Sequence, residues 1–305
     1  MVAKANYFFI INLIAGQGRC KELFPKVKVE LDRRRVDYDL HFTNEPMEAV
    51  DVAKMGIDEG FSHIVAMGGD GTVNEVANGL LGSEATLAVI PAGTGNDFTR
   101  MLGIPTNPTQ AIETLLSGVP RTIDLGQIDD DRCFVNGVGI GLDAQVARDV
   151  LKMERLRGAP AYLTAAIKEV FRFPAFPVTL NTPEEELELI CLSLGIANGI
   201  YAGGGFKLAP KADIHDGLID ISALGDYPKL ERLFRLPKVR AGKHVDWRKT
   251  VYRQAKEVKI SSPKKLIAHV DGEPYRLPGE SFTIRALPEV LRVLVPSGEP
   301  TEPAE

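Results

Sequence analysis

Apolar residues in the first part of the chain come in short uninterrupted runs, and between the runs they fall three and four positions apart. Tyr7 to Leu13 reads as a strand, and a helix near 21–35 follows in which Leu23, Val27 and Leu31 share one face. Asp37 to Phe42 alternates as a second strand, and Glu45-Pro46 opens a helix carrying Ala49, Val52, Ala53 and Ile57. Ile64 to Met67 is a third strand, with Val73, Val76, Ala77 and Leu80 at helical spacing behind it. Leu87 to Ile90 is a fourth, and Thr109 to Leu116 is a helix stopped by Gly118-Val119-Pro120. Strand and helix in alternation predict a mostly parallel sheet with helices on its faces.

After the strand-like stretch 121–126 the texture changes. Arg132 to Ile140, Val178 to Leu180, Glu188 to Ala197, Leu218 to Leu224, Val251 to Tyr252, Val258 to Ser261, Leu266 to Val270, Ser281 to Ala286 and Val290 to Val295 are strand candidates with few helices between them. Many strands with turn-rich joints predict a mainly antiparallel β-sandwich. The expected fold class is therefore α/β with two domains, a parallel-sheet domain at 1–126 and an antiparallel β-sandwich domain at 127–287. The Pro- and Glu-rich segment Pro296 to Glu305 is expected to fray.

Composition narrows the class. With 44% hydrophobic and 25% charged residues the chain has the make-up of an ordinary globular protein. A net charge of -5 argues against nucleic-acid binding driven by overall charge. Cys20, Cys133 and Cys191 are far apart, lack metal-type spacing and suit a reducing cytoplasm. The Tyr7 to Ile14 run, preceded by Lys4, has the outline of a signal peptide, but Asn12 interrupts it and its aromatic, β-branched character suits a first strand. No stretch has the ~18 apolar residues that a membrane helix needs. Five scattered histidines give no zinc or nucleophile pattern.

The chemistry concentrates in two loops. Gly68-Gly69-Asp70-Gly71-Thr72 lies between the third strand and its helix, a glycine turn that lets backbone approach a polyphosphate and aims helix N–H groups at it. Asp70 repels phosphate, so its expected partner is a divalent cation on the phosphates, with magnesium the hard cation that oxygen ligands suit. Such turns also occur merely to reverse the chain. Pro91-Ala92-Gly93-Thr94-Gly95-Asn96-Asp97 follows the fourth strand and gathers hydroxyl, amide and acidic groups. In a parallel sheet both loops fall on the carboxyl edge, where such folds bind ligands.

Together these two motifs resemble the diacylglycerol kinase catalytic-domain family, in particular its soluble bacterial lipid kinases. Gly-Gly-Asp-Gly-Thr alone is shared with NAD kinases and resembles phosphofructokinases; the pair is much more specific. The resemblance implies an ATP-dependent, magnesium-requiring kinase acting on a lipid alcohol such as diacylglycerol. It implies a cytoplasmic protein, peripheral at the inner membrane surface, and leaves a homodimer open. By it, Asn12, Gly16, Thr43, Gly68, Gly69, Gly71, Thr72, Asn74, Glu75, Thr94, Asn96 and Asp97 contact the nucleotide, with Asp70 holding its magnesium. Leu13 and Ala15 depart from the proline and serine that the family has in its first loop.

The resemblance also implies that segment 288–305 completes the first domain and that Asp124 links the domains. It places a structural magnesium on the carboxylate of Asp216 and the backbone carbonyls of Asp213 and Leu218; from the residues alone, Asp216-Gly217 reads as a turn. It makes Glu273, in His269-Val270-Asp271-Gly272-Glu273, the general base, with Asp271 a competing carboxylate two residues away. Gly139-Ile140-Gly141 has the glycine spacing of a dinucleotide fingerprint, but the next clear helix is expected only near Pro160, so the lipid-kinase resemblance explains it better. Between 229 and 249, Lys229, Arg232, Arg235, Lys238, Arg240, Lys243, Arg248 and Lys249 crowd beside Leu230, Leu233, Phe234 and Trp247, a basic amphipathic element for anionic lipid or simply a solvated helix face. The rival readings are an NAD kinase and a lipid- or nucleotide-binding protein without turnover.

Overall fold

The structure, a computed structural model, describes residues 6–153, 156 and 158–298. The chain divides into two compact units, 1–123 with 289–305, and 124–288. The segment 299–305 of the expected tail lies outside the described residues.

The first unit alternates strand and helix. Its elements are β1 (Tyr7–Ile11), α1 (Arg19–Arg33), β2 (Tyr38–Phe42), α2 (Glu48–Asp58), β3 (His63–Gly68), α3 (Asp70–Leu80), β4 (Thr86–Pro91), α4 (Asp97–Met101) and α5 (Pro108–Ser117). The parallel sheet runs β2-β1-β3-β4, with Ile11 opposite Met67 and Gly68 opposite Pro91. Its central strands are buried on both faces, which is why Ile64 to Met67 and Leu87 to Ile90 are continuous apolar runs rather than alternating ones. Each such side chain fully removed from water stabilises the fold by about 1.5–3 kcal/mol.

Local chemistry fixes the helix starts. The Asn107 side chain accepts N–H bonds from Thr109 (3.0 Å) and Gln110 (3.3 Å), and Pro108 takes the first helical position of α5. The helix expected to open at Glu45-Pro46 starts instead at Glu48. Glu48 reaches back to the N–H groups of Asn44 (2.6 Å) and Glu45 (3.1 Å) and to His41 (2.9 Å), which holds residues 44–47 as a loop. These donors bring the Glu48 carboxyl down to about 2.

The boundary with the second unit falls within β5 (Val119–Ile128). Then come β6 (Arg132–Phe134), β7 (Gly137–Gly141), α6 (Leu142–Leu151), α7 (Gly158–Arg172), β8 (Phe176–Asn181), β9 (Glu186–Ala197), β10 (Tyr201–Ala202), β11 (Phe206–Lys207) and β12 (Ile219–Gly225). After α8 (Lys229–Arg240) come β13 (Thr250–Ala255), β14 (Glu257–Ser261), β15 (Ala268–Val270), β16 (Glu273–Tyr275) and β17 (Ser281–Val295). The strands of this unit pair antiparallel, in the order β16-β15-β7-β9-β8-β14-β17, with β12 on β9 and β13 on β12. Val138, Ile140, Leu194, Ile196, Ile221, Val258 and Ile284 share its core.

Two expectations need correcting. The last two strand candidates form one strand, Ser281–Val295. The helix after Gly139-Ile140-Gly141 begins at once, at Leu142, and Leu142 and Val146 bury the face that their spacing of four creates. A dinucleotide unit is still excluded, because β7 pairs antiparallel with both β9 and β15. A Cβ on Gly139 would lie 2.2 Å from Asp143 Oδ2 and His269 Nε2, so this chain's own side chains occupy the space that its glycine opens.

Candidate functional site

In the first unit the carboxyl ends of β1, β3 and β4 bring their loops together. Gly68 and Pro91 are opposite in register, and Ala92 N–H donates to Gly68 O at 2.7 Å. A Cβ on Gly93 would sit 2.5 Å from Gly69 Cα, so glycine is what allows the two loops to meet backbone to backbone. Asp70, the first residue of α3, accepts the Phe98 N–H through Oδ1 at 3.2 Å and so ties the glycine turn to α4. Asn12 Nδ2 donates to Thr72 Oγ1 at 3.2 Å, and Gly16 lies against Ala92 O. Arg19 Nη1 reaches Gly93 O at 3.4 Å, a cation at the same loops that sequence reasoning missed.

The remaining predicted nucleotide residues separate into two groups. Thr94 is exposed at the tip of its loop, and Thr43 stands at the end of β2, its N–H bonded to Ile11 O at 3.0 Å. Asn96 has φ 50° and braces the loop from within: Oδ1 accepts Gly93 N–H and Nδ2 donates to Gly93 O, both at 3.0 Å. Asp97 is buried. Asn74 is buried on α3, where Asn78 Nδ2 donates to its carbonyl, and Glu75 Oε2 accepts Ala49 N–H at 3.3 Å in the first turn of α2. Asn96 and Glu75 thus shape the loops and their neighbours through their side chains.

In the second unit Asp271 (φ 46°) and Gly272 (φ 89°) form the two-residue turn joining β15 to β16. The turn puts the acids in different roles. Asp271 is buried, and its carboxylate accepts the N–H groups of Val135 (2.8 Å), Asn136 (2.9 Å) and Gly137 (2.8 Å). Glu273 is exposed at the start of β16. His269, one residue before the strand end, accepts the Gly272 N–H through Nδ1 at 3.1 Å, and its Nε2 lies 3.5 Å from Asp143 Oδ2.

The loop 213–218 is acidic and tightly wound. Asp213 Oδ1 accepts His215 N–H (3.0 Å), Asp216 Oδ1 accepts Leu218 N–H (2.9 Å), and the fully buried Asp124 takes Gly217 N–H at 2.7 Å. Burial first, and then the neighbouring charges of Asp213 and Asp124, hold the Asp216 carboxyl above the usual carboxylate range. No group of three or more His, Cys, Asp or Glu side chains disposed to hold a metal occurs among the described residues. One carboxylate with two backbone carbonyls is not such a group.

An apolar cavity of about 80 Å³ opens between α6, α7, α8 and β9, with Val146, Ala166, Val170, Leu192, Leu236 and Val239 on its wall. Asp143, Gly195 and Leu208 line this cavity and also a smaller hollow of about 20 Å³ that includes His269 and Gly139. These three residues therefore stand between the apolar cavity and the base of the hairpin that carries Glu273. The cavity's lining comes from dispersed apolar residues, and the usable signals were Asp143 beside the glycines and the spacing of Leu142 and Val146.

Helix α8 corrects the expectation for the basic stretch. Arg232 is buried, donating to the carbonyls of Tyr227, Val170 and Phe173 and pairing with Asp226 at 2.6 Å. Arg235 stacks on Tyr227 and Trp247, with its guanidinium 4.1 and 4.3 Å from the ring centroids. Both arginines secure the cavity wall. Leu230 and Phe234 instead stand 69% and 75% exposed on the outer face.

The cysteines are packing residues. Burial pushes Cys20 and Cys191 up to about 12 and Cys133 to about 11, far from thiolate formation at neutral pH. Among the described residues no helix is long and apolar enough to cross a membrane.

A parallel-sheet unit with a glycine-rich loop edge and an antiparallel unit with an apolar cavity suit a phosphotransferase of the lipid-kinase class. Comparison with known proteins agrees. The diacylglycerol kinase catalytic domain matches residues 6–128, and the YegS C-terminal NAD kinase beta sandwich-like domain matches residues 136–295. A Pseudomonas putida protein named probable lipid kinase YegS-like is 36% identical, covering 86% of each chain. A Bacillus subtilis diacylglycerol kinase is 31% identical over 89% of this chain and 91% of its own. A crystallised candidate diacylglycerol kinase of Bacillus anthracis superposes with a TM-score of 0.81 at 26% identity, covering 96% of both chains. The chain belongs to the YegS-like lipid kinase family.

Proposed function

We propose that this protein transfers the γ-phosphoryl of ATP to the hydroxyl of a lipid alcohol, with diacylglycerol the first candidate and phosphatidate its product. The observation that carries the lipid acceptor is the apolar cavity that shares lining residues with the hollow beside His269, because a water-soluble acceptor has no use for such a wall. Residues 1–126 with 288–305 act as the nucleotide-binding domain and 127–287 as the lipid-substrate domain. The Bacillus subtilis relative's name, diacylglycerol kinase, supports this choice of lipid.

In this reading the loop N–H groups at 68–72 and 91–97 receive the phosphates, with Asn12, Gly16, Thr43, Thr94 and Asp97 at their edge. Asp70 offers its carboxylate to magnesium, which when bound would neutralise phosphate charge. The lipid hydroxyl gives its proton to Glu273 as its oxygen bonds to the γ-phosphorus, and the bond to the bridging oxygen breaks to release ADP. Asp271 is the poorer base, since three N–H groups already occupy its lone pairs. Asp216, with the carbonyls of Asp213 and Leu218, holds a structural cation. The protein meets its substrate at a membrane surface, which the outer face of α8 would touch. The test is transfer of labelled phosphate from ATP to a long-chain lipid alcohol and to free glycerol: label in the lipid alone supports the reading, and equal labelling of glycerol overturns it.

A further inference from the structure

We propose that, among diacylglycerols and related lipid alcohols that are all substrates, the apolar cavity favours those whose chain carries a hydrogen-bond donor, a hydroxyl or an amide N–H, and that His244 is the residue that reads it. This rests on the lipid-kinase reading above.

His244 lines the cavity and is 2% exposed. Its Nε2 lies 3.2 Å from the Leu208 carbonyl oxygen and 3.2 Å from Ser222 Oγ. A carbonyl can only accept, so Nε2 carries the ring proton and Nδ1 presents a bare lone pair. Burial lowers the pKa of the ring, which therefore stays neutral near pH 7 and keeps Nδ1 an acceptor. Nδ1 is buried and has no hydrogen-bond partner among the described residues.

Most of the rest of the wall is apolar or already committed. Val146, Ala166, Val170 and Leu192 can hold only an alkyl chain. The Arg232 guanidinium is committed to three carbonyls and to Asp226. Asp143 Oδ2 is a second buried acceptor without a hydrogen-bond partner among the described residues, but it stands at the other end of the wall, where the cavity shares its lining with the hollow beside His269. A chain bearing a donor at His244 completes a buried acceptor, whereas a plain chain leaves it desolvated and unpaired, a difference that a buried site converts into discrimination.

The experiment measures kcat/KM for ATP-dependent labelling of matched lipid alcohols. One set has a hydroxylated acyl chain, its methyl ether and the plain chain; a second has an amide-linked chain and its ester. Wild-type protein should favour the donor-bearing member of one set at least about tenfold over its donor-less partners, and the set that responds identifies the source of the donor. His244→Phe should erase the preference by slowing only the donor-bearing lipid, and His244→Asn, which keeps an oxygen at the δ position, should restore part of it. Equal rates within both sets for the wild type would overturn the inference whether or not the variants fold, as would a preference that survives His244→Phe. Labelled lipid with no preference leaves the lipid-kinase reading standing, whereas no label in any lipid removes both.

Discussion

Asp70 Oδ1 holds the backbone N–H of Phe98 at 3.2 Å, so the carboxylate on the first residue of α3 fastens the second loop to the first. An amide oxygen can accept the same bond, but it carries no charge for a cation. Asp70→Asn should therefore melt close to the wild type while losing at least about 100-fold in turnover, as when a single electrostatic stabiliser is removed. A variant with full activity would take Asp70 out of the chemistry; one that is inactive and unfolded would make it purely structural.

The two acids of the β15–β16 hairpin should behave oppositely. Glu273→Gln keeps shape and hydrogen bonding but cannot take a proton, so turnover should fall by about 10²- to 10⁴-fold with ATP affinity nearly unchanged. Asp271→Asn weakens the hold on the N–H groups of Val135, Asn136 and Gly137, and its main effect should be a lowered melting temperature. Loss of turnover in the Asp271 variant at unchanged stability, with Glu273→Gln active, would reverse the assignment.

Much of this was legible in the chain. Buried strands in a parallel sheet must be apolar throughout, so β3 and β4 and the loops at their ends stood out, and the paired loop motifs carried the family. Asp271 and Glu273 looked alike because spacing alone cannot show that the φ values of Asp271 and Gly272 turn the chain between them. The arginines of α8 were misread for a related reason. Charge patterning records that Arg232 is basic, but not that the open carbonyls of Val170 and Phe173, at and just beyond the end of α7, wait for its guanidinium. Cavities escape such reading because their walls are assembled from distant apolar residues that each look like core.

The acidic loop should make stability depend on pH and on magnesium. The carboxyls of Asp216 and Asp220 are raised in the folded state, chiefly by burial, so folding binds protons there. Their contribution is complete below the ordinary carboxylate range and is lost as pH rises through the raised folded values. Without divalent cations, the wild-type melting temperature should fall across that window more than that of Asp216→Asn. At neutral pH, magnesium in large excess should raise the wild type by about 5 °C and the variant by clearly less. Equal magnesium effects in the two proteins would show that the loop is only a turn.

Helix α8 turns Arg232, Leu236 and Val239 inward and leaves Leu230 and Phe234 on the outside with Lys229 and Lys238 exposed nearby. Two bulky apolar side chains entering a bilayer, beside two cations worth about 1 kcal/mol each at an anionic surface, give a usable membrane contact. Leu230→Ser with Phe234→Ser should lower binding to anionic vesicles at least about tenfold and leave activity on detergent-dispersed lipid nearly unchanged. Vesicle binding equal to the wild type would exclude this face.

The central claim is phosphoryl transfer from ATP to a lipid hydroxyl, and its most direct measurement is product separation after incubation with γ-labelled ATP, magnesium, a panel of dispersed lipid alcohols and NAD. The prediction is label in a lipid phosphomonoester, with diacylglycerol giving phosphatidate, and none in the dinucleotide. Label appearing in NADP, or in no product at all, would contradict it.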